Sequence, residues 1–376
     1  MIPLNQNLTT LKRSGIRLYT NLAKLVDGCV MLTLGEPDFD TPEEVKAAAL
    51  TSIFQNRTHY APNQGVETLR QEVATFETFR GFECSPEQVL ITVGATGALF
   101  TALLGILNPG EEVIIPTPAF PLYASIVTIA GGKPVFLDTK PDGFQLTAQA
   151  LERAITPKTK AIVLNSPNNP TGAVLSRESL AAVKAAVLGK DIFVICDNVY
   201  QGLSTEKVPD LSLDADLKPQ ILLCQSFSKP WAMTGWRVGY LVGEADVMQR
   251  LLLLHAAEVA AVPTFLQDAC VAALSVSTKE MASVYEKRRA YVCRRLAEMG
   301  LSFPEPKGAF YVFPDISHLG LTDEEFCTRL IQKAAVATVP GSCFDCPGHI
   351  RISCCCSDAD LEKGMDRLAQ FLQKLQ

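Results

Sequence analysis

Seven short runs of β-branched and aliphatic residues, at 89–94, 112–116, 133–138, 161–166, 192–197, 221–226 and 238–243, recur through the middle of the chain. Runs this short and this uniformly apolar read as strands covered on both faces, because a strand with one wet face alternates apolar and polar residues. Helical patterns such as 95–107 and 176–188 lie between them. The alternation predicts an α/β fold whose large domain holds a seven-stranded, mostly parallel sheet flanked by helices. In open sheets of this kind ligands bind beyond the carboxyl ends of the strands. The residues just after each run are therefore where chemistry is sought.

After about residue 244 the pattern changes. A long helical stretch runs through Leu251–Leu254 towards Ala273, followed by helical patterns at 281–299, 322–335 and 357–375. Short strand patterns at 309–313, 336–339 and 349–354 separate them. This predicts a smaller α+β domain that residues 1–42 join, so that both chain ends build it. The expected division is 1–42 for the N-terminal arm, 43–280 for the large domain and 281–376 for the C-terminal part.

Composition narrows the function. Hydrophobic residues make up 48% of the 376 positions and charged residues 20%, as in ordinary globular proteins. A net charge of −6, with no basic block longer than Lys287-Arg288-Arg289, argues against nucleic-acid binding. From Gln88 to Gly110 no charge occurs, a length that could span a bilayer. The β-rich start and the glycines within it fit a buried strand, a tight turn and a buried helix better. The N-terminus shows no apolar signal core, so the cytoplasm is the expected location and structural disulfides are not expected. Among the 12 cysteines, Cys343 and Cys346 form a CFDC pair and Cys354, Cys355 and Cys356 are consecutive. With only 4 histidines in the chain a zinc site is not expected, and these cysteines read as small buried residues.

The most informative segment is Ser226-Phe227-Ser228-Lys229-Pro230-Trp231-Ala232-Met233-Thr234-Gly235-Trp236-Arg237, which follows the run Ile221–Gln225. A lysine in a closed pocket at a strand end loses hydration, its pKa falls, and it becomes able to form a Schiff base. The hydroxyls of Ser226 and Ser228 and the guanidinium of Arg237 suit a phosphate. A bare Ser-x-Ser-Lys would more often be an exposed lysine beside an ion-paired arginine. Other strand ends carry compatible groups. Val93-Gly94-Ala95-Thr96-Gly97 is a strand-to-helix turn whose free N–H groups favour an anion. Asp197 closes the run Ile192–Cys196, and Asn169 lies in the turn Asn165-Ser166-Pro167-Asn168-Asn169-Pro170. Arg351 stands inside the apolar segment His349-Ile350-Arg351-Ile352-Ser353, where a charge needs a partner to offset desolvation.

The segment around Lys229, together with these motifs in their order, closely resembles the class I/II aminotransferases of the fold-type I pyridoxal 5'-phosphate (PLP) superfamily. Within that family the chain is similar to the bacterial aromatic and N-acetyl-diaminopimelate subgroup. The resemblance runs from about Ser14 to the C-terminus. It implies that Lys229 carries PLP and that Gly94, Ala95, Thr96, Ser226, Ser228 and Arg237 hold its phosphate. It places Phe120, in Pro118-Ala119-Phe120-Pro121, over the ring. Asn169 and Tyr200 are set beside the ring hydroxyl, and Asp197 beneath the ring nitrogen, where an anion keeps the ring a good electron sink. Arg351 and Gly35 would receive the substrate α-carboxylate. Tyr60 would reach the phosphate of the neighbouring subunit, implying a homodimer with shared active sites. One departure is Asn198, where the family usually has glutamate.

The expected activity is ping-pong transfer of an amino group from an L-amino acid, aromatic or broadly neutral, to a 2-oxo acid such as 2-oxoglutarate. Lys229 would act as base and then acid on the α-proton. No second arginine in Glu258–Phe265 greets a side-chain carboxylate, which argues against a dicarboxylate specialist. A carbon–sulfur β-lyase shares nearly every motif. A non-catalytic PLP-binding regulator would need an added DNA-binding module, for which the residues before Leu34 are too few. A nicotinamide enzyme lacks its G-x-G-x-x-G signature.

Overall fold

The seven runs become seven strands of one sheet: β1 Val89–Thr92, β2 Glu112–Thr117, β3 Lys133–Asp138, β4 Thr159–Asn165, β5 Phe193–Asp197, β6 Ile221–Ser226 and β7 Gly239–Val242. The computed structural model describes residues 2, 5–11 and 15–375. Ser14, where the resemblance begins, lies outside them. The strand order is β1-β7-β6-β5-β4-β2-β3. β7 runs antiparallel to both β1 and β6, and the other pairings are parallel. The apolarity of the inner runs has a direct cause, whereas the edge strand β3 leaves Lys133, Phe136 and Asp138 exposed. Ile114, Ile162, Val194 and Leu223 face one apolar layer, while Val113, Val163, Ile195 and Leu222 face the other. Successive side chains of a strand point to opposite faces, so a sheet covered on both sides must be apolar at every position.

Registers bring the strand ends to one edge. Asn165 at the end of β4 pairs opposite Asp197 at the end of β5. Ser226 at the end of β6 pairs opposite Gly239. The helix Gly94–Ile106 begins just beyond β1 with Gly94 in a left-handed conformation (φ 65°).

Both chain ends share a separate core. Tyr19, Val30 and Leu32 pack with Phe310, Val312, Phe326, Ile352 and Leu368. Val30–Met31 pairs in parallel with Val336–Ala337, and Ile350–Ser353 is the middle strand of a three-stranded sheet. Its helices start where the sequence places caps: Thr322 and Glu325 form a capping box, and Ser357 caps Asp358–Gln373. Two expectations are corrected. The helical stretch towards Ala273 is two helices, Ala245–Val259 and Thr264–Leu274. Ala260 takes a positive φ of 59°, and the following Pro263 cannot donate a helical hydrogen bond. The strand pattern 336–339 is two short strands, Val336–Ala337 and Val339–Pro340, in different sheets.

Candidate active site

At the carboxyl edge of the sheet a cleft of about 560 Å³ opens between the sheet and the shared core of the chain ends. Its lining includes Gly35, Ala95, Thr96, Phe120, Asn169, Asp197, Tyr200, Ser226, Ser228, Lys229, Arg237 and Arg351. The expected site residues thus come together in one place, with two exceptions. Gly94 sits behind the lining, and Tyr60 is 94% exposed on the surface outside the cleft.

Lys229 is the pivot. Its Nζ donates to the Gly35 carbonyl at 2.5 Å. Burial lowers its pKa to about 8, because a buried ammonium loses hydration; Arg237 and Arg351 push the same way, while Cys355 and Glu36 oppose. The amine is thereby far more available as a nucleophile and base near neutral pH than an ordinary lysine.

Asp197 is 4% exposed, and burial raises its pKa to about 6. The Tyr123 hydroxyl donates to its Oδ2 at 2.5 Å and, with the Val199 amide and Lys229, offsets part of that cost. Burial holds the Tyr123 phenol well above its usual range, so it remains a donor. Oδ1 makes no hydrogen bond of ordinary geometry, leaving one buried acceptor aimed at whatever fills the cleft.

The anion cradle is backbone and cation together. A Cβ on Gly94 would lie 2.8 Å from Arg237 Nη2, so the guanidinium lies directly against the turn. A Cβ on Gly239 would come within 2.6 Å of the Gly94 carbonyl carbon and 2.7 Å of the Ala95 nitrogen. Only glycine at both places lets strand β7, the turn and Arg237 meet. Arg237 itself has a φ of 56° and donates to the Thr234 carbonyl. The Ser226 hydroxyl accepts from the Ser228 amide at 3.0 Å, tying down the strand end that precedes Lys229.

Arg351 is 1% exposed. It donates to Asn169 Oδ1 at 2.8 Å and to the Thr33 carbonyl at 2.6 Å, and its guanidinium lies between the rings of Tyr311 and Phe344. Among the described residues no carboxylate pairs with it, and its Nε has no partner. A buried guanidinium without an acid is costly, so the fold holds this cation ready for an anion from outside. Asn168, by contrast, spends its Oδ1 on the Thr171 amide and hydroxyl inside its own turn.

Residues missed in the sequence complete the site. Tyr123 holds Asp197. Tyr311 meets the Tyr200 hydroxyl at 3.2 Å, and a Cβ on Gly35 would fall 2.1 Å from its oxygen. Ile16 and Arg17, from the helix Gly15–Ala23, also line the cleft. Position offers a weak clue to Tyr123, which lies three residues past Phe120, in the first turn of the helix Leu122–Ile129, and touches it edge-on at 5.9 Å. For Tyr311 and Arg17 the sequence carries no signal that separates them from packing or surface residues.

Comparison with known proteins follows the same line. The sequence model of the family described as aminotransferase class I and II matches residues 27–368. The chain is 40% identical over 378 residues to the probable N-acetyl-LL-diaminopimelate aminotransferase of Bacillus subtilis, covering 99% of this chain and 96% of that protein. It is 38% identical over 383 residues to aromatic-amino-acid aminotransferase 2 of Thermococcus litoralis, covering 99% and 98%. The solved aspartate aminotransferase of Thermus thermophilus with maleate superposes with a TM-score of 0.93 at 35% identity, covering 98% of this chain and 100% of that one.

Proposed function

Because the chain belongs to the class I and II aminotransferases and is a PLP-dependent aminotransferase, we propose that it moves an amino group from an aromatic or broadly neutral L-amino acid to a 2-oxo acid such as 2-oxoglutarate, in ping-pong order. The observation that carries this reading is a buried lysine with a pKa lowered to about 8, facing a buried acid and an unpaired arginine across one cleft. The residues present fit the cofactor: Asp197 Oδ1 is buried without a partner, and glycine at 94 leaves the cradle open beside Arg237.

When bound, PLP supplies a cationic conjugated ring that stabilises negative charge at the α-carbon of the amino acid. In our assignment Lys229 holds the cofactor covalently between turnovers. The uncharged Nζ of Lys229 would take the α-proton as base and, then an ammonium, would be the acid that delivers it away from the α-carbon. Asp197, whose Oδ1 is buried without a partner, would keep the ring nitrogen protonated, and Tyr123 keeps that carboxylate in place. Gly94, Ala95, Thr96, Ser226, Ser228 and Arg237 hold the phosphate. Phe120 would cover the ring, and Asn169 and Tyr200 would serve its hydroxyl, with the Asn169 Oδ1 already accepting from Arg351. Arg351 grips the α-carboxylate, with Gly35 beside it. Closure of the C-terminal part (281–376) with the 1–42 arm over the large domain (43–280) then excludes water.

A homodimer belongs to the proposal. Leu50, Ile53, Phe54 and Tyr60 are exposed, an apolar surface suited to a second copy that would receive Tyr60 at its phosphate. Twelve cysteines, none in a disulfide, suit the reducing cytoplasm. The test is the half-reaction. Holoenzyme mixed with a single amino acid and no acceptor should release one equivalent of 2-oxo acid per site while the cofactor's absorbance changes to that of its amine form. Release from none of the common amino acids would overturn transamination.

A further inference from the structure

We infer that the cleft between the helices Asp323–Ala334 and Asp358–Gln373 is a binding site for a nucleoside triphosphate, separate from the active site. The inference goes beyond the transamination reading and does not depend on it.

The two helices leave between them a cleft of about 640 Å³. Four cations line it, Arg329 and Lys333 on the first helix, Arg367 on the second and Lys374 at its end. No acidic residue lines it. The chain as a whole has 40 acids against 34 lysines and arginines, so four cations gathered without an acid run against its overall balance. Among the described residues none of the four is in an ion pair. Arg329 and Lys333 stand four apart on one helix, a spacing at which like charges repel. The negative end of the helix dipole supports Lys333, in the last turn, but its reach stops short of Arg329. Glu325, one turn before Arg329, feels that cation through space, yet its carboxylate is spent on the Thr322 amide and hydroxyl at the helix cap. Local repulsion kept around a concave surface is the kind of conflict that function explains.

Arg367 is the anchored member of the four. Its Nη1 donates to the Gly28 carbonyl at 2.9 Å and to the Ala335 carbonyl at 3.0 Å, which fixes the guanidinium and leaves its other donors for a ligand. Arg329, Lys333 and Lys374 are exposed and can close on a chain of phosphates. The rest of the lining suits the other half of a nucleotide. Ala334, Ala335, Phe371 and Leu375 give the cleft an apolar wall for a base. The side-chain amides of Gln332 and Gln370 also line it, and among the described residues neither is hydrogen-bonded. Each offers a donor and an acceptor to the edge of a base. An inorganic anion would use the cations alone. The volume lies in the range of small-molecule sites. The anion cradle beside Lys229 is a different place, and the two clefts share no lining residue.

The test is calorimetric binding of ATP, inorganic tripolyphosphate and adenosine to PLP-loaded protein, in which the cofactor's own phosphate keeps nucleotides out of the active-site cradle. In wild type ATP should bind, tripolyphosphate about tenfold more weakly, and adenosine too weakly to measure. Arg329→Gln/Lys374→Gln should weaken ATP binding about 100-fold, the scale of two lost charge-assisted hydrogen bonds. Arg367 is kept, so its contacts with Gly28 and Ala335 persist. Lys279→Gln/Lys287→Gln removes the same charge from exposed positions of another helix and should leave the affinity unchanged. Should the first double variant not fold, Lys374→Gln alone carries the test, with about a tenfold loss. No ATP binding at millimolar concentration, an equal loss in the two double variants, or tripolyphosphate bound as tightly as ATP would overturn the assignment.

Discussion

The side of the cleft proposed to hold the cofactor and the side proposed to take the substrate carboxylate are assembled in different ways. On the cofactor side, Asn165, Asp197 and Ser226 each end a strand of one sheet, and the ladder itself sets Asn165 opposite Asp197. Apolar layers on both faces hold those strands. On the carboxylate side, Arg351 depends on the Thr33 carbonyl, 318 positions away, and the Gly35 carbonyl reaches Lys229 across 194 positions. The first arrangement is preorganised by the core. The second is built on the core that the two chain ends share and meets the large sheet through single contacts such as Gly35 with Lys229, which suits a part that would open for substrate and close for chemistry. Substitutions on the first side should therefore act on cofactor chemistry, and those on the second on substrate capture.

The largest expected effect on this contrast is at Asp197. Asp197→Asn should lower kcat by about 10² to 10³-fold, the usual scale for removing one preorganised electrostatic group. The sign of its pH dependence follows from the raised pKa. The free acid is protonated below about 6, so cofactor affinity should weaken as pH falls through that value, and the asparagine variant should lack that dependence. Absorbance titration of apoenzyme with PLP from pH 5 to 8 reads both. Next comes Arg351→Ala, which should lower kcat/KM for the amino donor by about 100-fold, from two lost charge-assisted hydrogen bonds, while cofactor affinity changes far less. A comparable loss of cofactor affinity would break the proposed separation of the two sides.

Tyr123→Phe should cost less, about tenfold in kcat. Without its hydroxyl, burial of Asp197 is less opposed and its pKa rises further, so the weakening of cofactor binding should begin at higher pH than in wild type. A tyrosine that only packs would leave that profile in place. The smallest effect is expected at Arg288, which bonds both Asp38, three residues past Gly35, and Asp358. Arg288→Gln should destabilise the protein by about 1 kcal/mol in thermal denaturation and raise KM a few fold without touching the cofactor.

The same contrast decides what could be read from the sequence. The strands of the large sheet were legible because a strand buried on both faces is apolar at every position, and Ile114, Ile162 and Val194 announce it without alignment to anything. Lys229, Asp197 and Asn169 were legible because they follow such strands. The resemblance then gave them roles that Ser-x-Ser-Lys alone could not. The break between the two helices before Ala273 was missed although Pro263 marks it, because the apolar period continues on both sides. Tyr123, Tyr311 and Arg17 were not legible for a different reason. Tyr123 meets Asp197 across 74 positions and Tyr311 meets Tyr200 across 111. Periodicity records which face of an element is buried, not which distant residue it will meet.

The central claim is that one buried, deprotonatable amine at position 229 holds the cofactor. Borohydride reduction of the PLP-loaded protein, followed by peptide mass mapping, tests it directly. A single stable pyridoxyl adduct is expected on Lys229, absent from Lys229→Ala. An adduct on another lysine, or none on a protein that nevertheless binds PLP, would contradict it.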